Sequence, residues 1–418
     1  MRRATGFLVT TLCLTAACAP SHPLQAPAAA PPPQSPPALL PARPEEVGMS
    51  PDLPALLDSI LHSALATGAA PGAALAVGRH GRLVHLRGYG RLDHALGSPP
   101  VTPSTIYDLA SLTKVVATTT AAMILEEEGW LDIDLPVRYY LPEFDSPDKA
   151  AITVRMLLTH RAGFEAGAPL WQLYRGRQQY LEQINRRPLL YPPGTRSLYS
   201  DWSMILLQLV IERIAGRTLD WFLQERVFGP LGMRDTGFNP GLHLYDRIAP
   251  TEFVPLRGGL VKGSVHDPNA YAMGGVSGHA GLFSSARDLA VFAQMLLNGG
   301  EYNGIRILRP STIARWTAPQ YPGSSRALGW DTPSEFSSAG RFFSPRAFGH
   351  TGFTGTSLWI DPERGLFIVL LTNRVHPTAQ NGRHVPLRRA VADAVQAAIL
   401  DAPLIDWEAR RAERPPPM

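Results

Sequence analysis

The position of the strand-like segments places the strongest limit on the fold, because they lie toward the two ends of the 418-residue chain. Residues 73–77 and 83–89 are strand-like segments joined by Arg79-His80-Gly81, which predicts a hairpin. Residues 356–360 and 366–372 repeat the pattern near the C-terminus. We therefore predict an α/β (α+β) fold, with an antiparallel sheet built from both termini, flanked by helices, and a mainly helical inserted domain.

The segments outside these strands carry apolar residues at helical spacing, several of them bounded by Gly or Pro. The predicted helices cover residues 52–66, 111–128, 156–158, 204–214, 219–228, 288–297 and 387–400.

Composition divides the chain further. Ten of the 40 prolines lie between Pro20 and Pro44, in a stretch with almost no charge that cannot bury a core. We predict a signal peptide over 1–17, a Pro/Ala-rich tether over 18–44, a domain over 45–405 and a tail over 406–418. Within the domain, the α/β part covers about 45–115 and 335–405, and the helical part covers about 116–334.

The N-terminus has the layout of a secretory signal. Arg2 and Arg3 precede an apolar run over 7–14, and small residues lead to Cys18. The segment also resembles a bacterial lipobox with lipid on Cys18, although Thr15 stands where Leu is usual; cleavage without lipid is the alternative. No later segment approaches ~20 uninterrupted apolar residues. We predict export to the periplasm or cell envelope, with membrane contact only through this leader.

Charge and cysteine content exclude several classes of function. The 39 basic and 35 acidic residues form no basic run, so we expect no nucleic-acid partner. Cys13 and Cys18 are the two cysteines, which leaves the body without a disulfide or a cysteine nucleophile. We expect no metal and no cofactor, because the spacing of the possible ligands fits no familiar zinc pattern. The possible ligands considered are His266, Asp267, His279 and Asp288.

Lysine is rare in this chain, which draws attention to Lys114, Lys149 and Lys262. Ser111-Leu112-Thr113-Lys114 opens a predicted helix, where positions i and i+3 share a face and a hydroxyl can meet an amine. Ser146-Pro147-Asp148-Lys149 matches the same pattern, but it lies in a polar turn before a strand-like segment at 152–154. Only the first match has the helical context of a nucleophile.

Two further motifs follow, Tyr199-Ser200-Asp201 and His350-Thr351-Gly352. In isolation Tyr199 could be a core aromatic, Asp201 a helix cap and His350 a turn residue. Together with Ser-x-x-Lys, however, they resemble the motif set of the class C β-lactamase-related serine hydrolases. That family includes penicillin-binding-protein-like D,D-peptidases with a His-Thr-Gly motif and family eight carboxylesterases. Further likeness lies at residues 71–74, 157–163, 230–233 and 274–282.

The resemblance implies a role for each matching position. Ser111 would be the acylated nucleophile, Lys114 an uncharged amine that activates it, and Tyr199 the proton shuttle. The backbone N–H groups of Ser111 and Phe353 would form the oxyanion hole. Substrate contacts would come from the remaining motif residues His350, Thr351, Gly352 and Asp201, with Arg374 and His376 as candidates for a substrate carboxylate.

Two departures from the β-lactamase pattern bear on the substrate. His350 replaces a Lys and Asp201 replaces an Asn, and both weigh against efficient β-lactam hydrolysis. We rank an exported carboxylesterase first, a D-alanyl-D-alanine carboxypeptidase or D-aminopeptidase second and a β-lactamase third. The substrate would then be a small ester or a peptidoglycan-type peptide.

Two other classes remain as rivals. An inactive cell-wall-binding relative would have no use for Ser111, Lys114 and Tyr199 together. A Ser-His-Asp hydrolase would need Gly-x-Ser-x-Gly, but the nearest string ends in His279 instead of Gly. The sequence leaves the oligomeric state open.

Overall fold

The strand pairs from the two ends of the chain lie side by side in one six-stranded sheet. The structure is a computed structural model that describes Met1, residues 39–335 and residues 337–412. Apart from Met1, all of these described residues belong to one compact unit. The sheet contains β1 (Leu40–Pro41), β2 (Gly72–Arg79), β3 (Arg82–Gly90), β11 (Phe348–Thr351), β12 (Ser357–Asp361) and β13 (Leu366–Thr372).

The strand order is β1-β3-β2-β13-β12-β11, so N- and C-terminal segments meet in the middle of the sheet. β2 and β13 are antiparallel, with Leu75 opposite Leu370. β1 is the exception to the antiparallel pattern, because it pairs in parallel with β3. The predicted α/β fold with a sheet from both termini is confirmed.

Alternating side chains of the central strands feed two separate cores. Ala73, Leu75 and Val77 face a core that includes Leu57 and Val391. These two residues belong to α1 (Leu53–Ala66) and α11 (His384–Ala397), which pack against each other. The intervening residues Ala74 and Ala76 face the larger core of the insertion. This alternation follows from the two-residue period of a strand and is the reason both faces of the sheet are covered.

The insertion between β3 and β11 is mainly helical. The long buried helix α6 contacts the helices around it, and α9 packs across β2, β12 and β13. The helices are α2 (Thr120–Glu127), α3 (Val137–Tyr140), α4 (Val154–Leu158), α5 (Gly176–Arg186), α6 (Asp201–Ala215), α7 (Leu219–Leu223), α8 (Pro268–Ala272), α9 (Ala286–Leu297) and α10 (Pro310–Trp316). A π-helical segment at Lys114–Thr119 leads into α2. A second π-helical segment, at Gln224–Phe228, follows α7.

Short strands complete the insertion. A three-stranded sheet has the order β4-β8-β5, and two hairpins pair β6 with β7 and β9 with β10. Their bounds are β4 (Ile106–Asp108), β5 (Gly237–Phe238), β6 (Phe253–Val254), β7 (Gly259–Leu260), β8 (Leu282–Ser285), β9 (Glu301–Tyr302) and β10 (Ile305–Arg306).

The structure differs from the predicted boundaries in three places. Leu40–Pro41 is already paired with β3, so folded chain begins before residue 45. The predicted tail contains α12 (Trp407–Ala412), where Trp407 N–H donates to the Arg341 carbonyl. The strand-like segment 152–154 leads into α4 instead, because the Thr153 hydroxyl caps that helix by accepting from Met156 N–H.

The predicted leader and Cys18 lie outside the described residues. Within 39–335 and 337–412, none of the helices has the length and apolar character needed to cross a bilayer.

A matched pair on α1 tests the core assignment. Leu57 is completely buried, whereas its neighbour Leu56 is 46% exposed. We expect Leu57→Ala to lower the free energy of unfolding by about 2–5 kcal/mol, because it leaves a cavity. Leu56→Ala should change that free energy by about 0.5 kcal/mol or less. Urea denaturation followed by circular dichroism measures both, and equal losses would contradict this packing.

Candidate active site

Ser111 stands at the end of a tight turn between β4 and the helix that carries Lys114. The preceding residue Ala110 has a left-handed backbone with φ of 46°, which is costly for a residue other than glycine. The buried carboxylate of Asp108 holds this turn, because its Oδ1 accepts from Ala110 N–H at 2.8 Å and its Oδ2 accepts from His266 N–H at 2.6 Å. The turn presents Ser111 to the cavity described below.

Lys114 lies one helical turn after Ser111, and its side chain is fully buried. Its Nζ donates to Ser111 Oγ at 3.0 Å and to the His279 carbonyl at 3.0 Å. The same Nζ forms an ion pair with Asp201 Oδ1 at 2.9 Å. The helix face predicted from the Ser-x-x-Lys spacing therefore does bring the hydroxyl and the amine together.

The charge on Lys114 differs from the sequence prediction of an uncharged amine. Burial lowers the pKa of Lys114, but the electrostatic interactions and hydrogen bonds with Asp201 and Tyr199 outweigh burial and raise that pKa above its ordinary value. The expectation of an uncharged amine is therefore wrong for the unliganded protein. An ammonium donates a hydrogen bond to Ser111 and cannot take its proton.

The side chains around this ammonium form a compact charged cluster. One carboxylate oxygen of Asp201, one of Asp267 and one ring nitrogen of His279 all lie within 4.8 Å of one another. His279 Nε2 is 2.9 Å from Asp267 Oδ1, and its Nδ1 is 2.8 Å from Ser277 Oγ. The Lys114 ammonium is the ion-pair partner of Asp201, and His279 is the side-chain partner of Asp267.

The other two residues considered as metal ligands lie elsewhere. His266 Nε2 is 2.9 Å from Glu252 Oε2, and Asp288 Oδ2 accepts from Thr236 Oγ1 at 2.8 Å. The four candidates therefore do not converge on one point.

Tyr199 precedes α6 and is surrounded by basic side chains. Its ring centre lies 4.6 Å from that of His160 and 5.9 Å from that of His350. Two cations approach the ring, with Lys114 Nζ at 4.9 Å and the Arg326 guanidinium carbon at 5.3 Å from its centre.

Both histidines beside Tyr199 are buried and neutral at neutral pH. Burial, reinforced by Arg326, lowers the pKa of His350 to about 3. The same two causes, in the same order, place the pKa of His160 well below its ordinary value. The positive charge near Tyr199 therefore comes from Lys114 and Arg326, not from the His-Thr-Gly histidine.

The segment that follows β11 is hydrogen-bonded to the turn that carries Ser111. Thr354 Oγ1 donates to the Asp108 carbonyl at 2.6 Å, and Thr356 Oγ1 donates to the Leu109 carbonyl at 3.0 Å. A Cβ on Gly352 would lie only 2.3 Å from the Leu109 carbonyl oxygen, so glycine is required for this approach. The His-Thr-Gly segment therefore runs beside the nucleophile, as an oxyanion-binding strand must.

A cavity of about 590 Å³ joins these elements. It is lined by the predicted residues Ser111, Tyr199, His350, Thr351, Gly352, Phe353 and Arg374. Lys114 and Asp201 pair behind Ser111. His376 does not line the cavity, because its ring packs on His94 and its Nδ1 lies 2.9 Å from the Thr251 carbonyl.

Three basic residues of the cavity were missed from the sequence: Arg326, His384 and Arg388. Arginine is so common in this chain that no local pattern distinguished them. Spacing along α11, which places His384 and Arg388 one turn apart, was the available signal.

Arg374 and Arg388 give the cavity a basic wall beside β11. Arg374 Nε donates to the Phe353 carbonyl at 2.7 Å, and Arg388 Nη2 donates to the carbonyls of Gly352 and Thr356 at 2.8 and 2.7 Å. Burial lowers the pKa of Arg388 to about 10, which leaves it charged at neutral pH. Its Nε is buried without a hydrogen-bond partner. This wall can accept an anionic group from a ligand.

The second Ser-x-x-Lys match has a different environment. Ser146 Oγ donates to Asp148 Oδ1 at 2.6 Å, and Lys149 Nζ donates to Asp148 Oδ2 at 2.9 Å. The pair is engaged by that carboxylate, and neither residue lines the cavity that contains Ser111.

Comparison with known proteins gives the same answer as the geometry. The Beta-lactamase family model matches residues 57–393. A protein of Escherichia coli K12, provisionally named D-alanyl-D-alanine carboxypeptidase, is 38% identical over 305 residues, covering 66% of this chain and 70% of that protein. A protein of Salmonella agona with the same provisional name is 34% identical over 386 residues, covering 84% and 89%.

Solved structures share the fold. EstCE1, described as a hydrolase with promiscuous acyltransferase activity, has a TM-score of 0.67 and 25% identity, covering 82% of this chain and 98% of its own. A penicillin-binding protein homologue from Caulobacter crescentus has a TM-score of 0.68 at 23% identity, covering 84% and 99%. The chain belongs to the β-lactamase family and is a serine hydrolase, which confirms the resemblance drawn from its motifs.

The charge on Lys114 can be tested directly, because the chain has only three lysines. After reductive methylation with ¹³C-formaldehyde, the Lys114 signal should stay in its protonated position to higher pH than the signals of Lys149 and Lys262. Asp201→Asn removes an anion that opposes burial, so the Lys114 pKa should fall. NMR titration of wild type and variant measures this shift, and Lys114→Met identifies the signal. An unchanged Lys114 midpoint in Asp201→Asn would contradict the ion-pair explanation.

Proposed function

We propose that this chain hydrolyses peptides that end in a free carboxylate, as a D-alanyl-D-alanine carboxypeptidase does, through an acyl-enzyme on Ser111. The observation that carries this proposal is the basic wall of Arg374 and Arg388 in the cavity that contains Ser111. A neutral ester needs no buried cations, whereas a terminal carboxylate is bound well by guanidinium groups. The carboxypeptidase names of the Escherichia and Salmonella relatives support the same order. We therefore place the peptide ahead of the ester.

Acylation would begin with proton transfer from Ser111 Oγ to the Tyr199 phenolate as Oγ attacks the scissile carbonyl carbon. Because Lys114 is an ammonium, its role would be to orient Ser111 Oγ and to stabilise negative charge on Tyr199. Breakdown of the tetrahedral intermediate would break the C–N bond, and Tyr199 would return the proton to the leaving amine. Water would then attack the acyl-enzyme by the same route.

The oxyanion would be stabilised by the backbone N–H groups of Ser111 and Phe353. The supporting geometry is the attachment of Thr354 and Thr356 to the Ser111 turn, which fixes the two segments relative to each other. Loss of one such donor typically costs about 2.7–4 kcal/mol of transition-state stabilisation.

Ester hydrolysis is the second candidate. The likeness to EstCE1 favours it, and so does Phe353, which is 54% exposed at the cavity and could contact an acyl chain. β-Lactam hydrolysis stays third, because the neutral His350 supplies no cation where β-lactamases carry a lysine.

We also propose that the protein is exported, with residues 1–17 removed and Cys18, the new N-terminus, either lipidated or unmodified. A peptidoglycan-type substrate requires this location. Mass spectrometry of the mature protein would show which N-terminus is present.

The decisive experiment compares three substrates on one preparation: a peptide ending in D-Ala-D-Ala, p-nitrophenyl butyrate and nitrocefin. We expect kcat/KM to be highest for the peptide, and Ser111→Ala should abolish all three activities. A labelled penicillin should modify the wild type and not Ser111→Ala. Fastest turnover of nitrocefin would overturn the proposal, and absence of any adduct and any turnover would favour an inactive binding protein.

The carboxylate-binding role of the basic wall has its own test. Wild type should prefer the peptide with a free C-terminus over its C-terminal amide by about tenfold or more in kcat/KM, because a charge-assisted hydrogen bond contributes about 1.5–3 kcal/mol. In Arg388→Gln this preference should be largely lost. Because the preference is a ratio of two kcat/KM values measured on the same variant, any general effect of the substitution on the β11 backbone cancels. A preference that survives in both Arg388→Gln and Arg374→Gln would contradict the assignment.

A further inference from the structure

Arg326 is a cavity residue whose ion pairing is incomplete. It lies in the segment between α10 and β11, and its guanidinium carbon is 5.3 Å from the Tyr199 ring centre. Its ion-pair partner is Asp331, with Nη1 3.7 Å from Oδ2, which is too long for a hydrogen bond. Both side chains are 23% exposed. Asp331 therefore neutralises the Arg326 charge only in part, and that charge also acts on the other groups nearby.

The groups that face the Tyr199 phenol come from several elements. Lys114 and Arg326 are cations, while the buried His160 and His350 are neutral. Two carboxylates pair with these cations: Asp201 with Lys114, and Asp331, which also lines the cavity, with Arg326. Two cations therefore lie within 5.3 Å of the Tyr199 ring centre, and the neutral His350 adds none.

We propose that Arg326 is a positioning residue for proton transfer, which with Lys114 stabilises the Tyr199 phenolate and thereby supplies the charge that His350 does not. This inference rests on the proposed role of Tyr199. When Ser111 Oγ bonds to the carbonyl carbon, its proton neutralises the phenolate. When the leaving group takes that proton, the C–N or C–O bond breaks and the phenolate returns. Arg326 acts on the phenolate form at both steps and exchanges no proton itself.

A second role for Arg326 must be separated from this one, because it shares the cavity with Arg374 and Arg388. If Arg326 binds a substrate carboxylate, its loss will weaken carboxylate substrates alone. If it stabilises the phenolate, its loss will also slow a substrate with no charge. The test therefore uses p-nitrophenyl butyrate, which is neutral.

The experiment measures kcat/KM for this ester against pH in wild type, Arg326→Gln, Arg326→Lys and Arg234→Gln. Arg234 is an exposed arginine outside the cavity and controls for loss of one positive charge. Loss of a neighbouring cation raises the pKa of a phenol, so the acidic limb of Arg326→Gln should move to higher pH by about one unit. On that limb kcat/KM should fall about tenfold. Arg326→Lys should retain most of the activity, and Arg234→Gln should follow the wild-type profile.

Asp331→Asn gives a prediction of opposite sign. Without its carboxylate partner, Arg326 should act more strongly on Tyr199, and the acidic limb should move to lower pH. This variant also keeps the proposal testable if Arg326→Gln does not fold, which thermal melting would reveal.

The outcomes distinguish this inference from the proposed function. An unmoved ester profile in Arg326→Gln, with a raised KM for the D-Ala-D-Ala peptide, would overturn the role of Arg326 and make it a carboxylate ligand. Full ester activity in Tyr199→Phe would instead reject the role of Tyr199, and with it the proton route of the proposed function.

Discussion

The buried ion pair between Lys114 and Asp201 is the interaction on which the rest of the site depends. An ammonium with no exposed surface is costly unless anions and acceptors surround it. Asp201 supplies an anion, while Ser111 Oγ and the His279 carbonyl accept its other hydrogen bonds. The requirement explains why Asp201 is not simply a helix cap and why Asp267 and His279 lie close by. In the proposed mechanism, the Ser111 proton would therefore pass to Tyr199.

The site is formed by segments that lie far apart in the sequence. Ser111 follows β4 in the first third of the chain, while the His-Thr-Gly strand comes from the C-terminal part of the large sheet. Thr354 and Thr356 bond to carbonyls of the Ser111 turn, and Gly352 permits the close contact. The site is therefore complete only when these distant segments are folded together.

Three arginines supply positive charge to the cavity. Arg374 and Arg388 form a wall suited to a substrate carboxylate, and the Arg326 guanidinium carbon lies 5.3 Å from the Tyr199 ring centre. Loss of the lysine at the position of His350 is thus compatible with activity. Two features of the β-lactamase pattern, a lysine in that motif and an asparagine at 201, are replaced here by a neutral imidazole and a carboxylate. The third motif therefore supplies no cation here, and Arg326 is a cation near Tyr199 in addition to the Lys114 of the shared motif.

Local pattern was enough to determine the elements and the nucleophile motif. The continuous apolar runs at 73–77 and 366–372 predicted buried strands, and the i, i+3 spacing of Ser111 and Lys114 predicted their contact, because both signals follow from local backbone geometry. The charge of Lys114, the exclusion of His376 and the presence of Arg326 and Arg388 in the cavity could not be predicted in this way. Each depends on which distant groups surround a side chain, and burial and electrostatic interaction act through space, whatever the separation along the chain. Only the tertiary structure decided those.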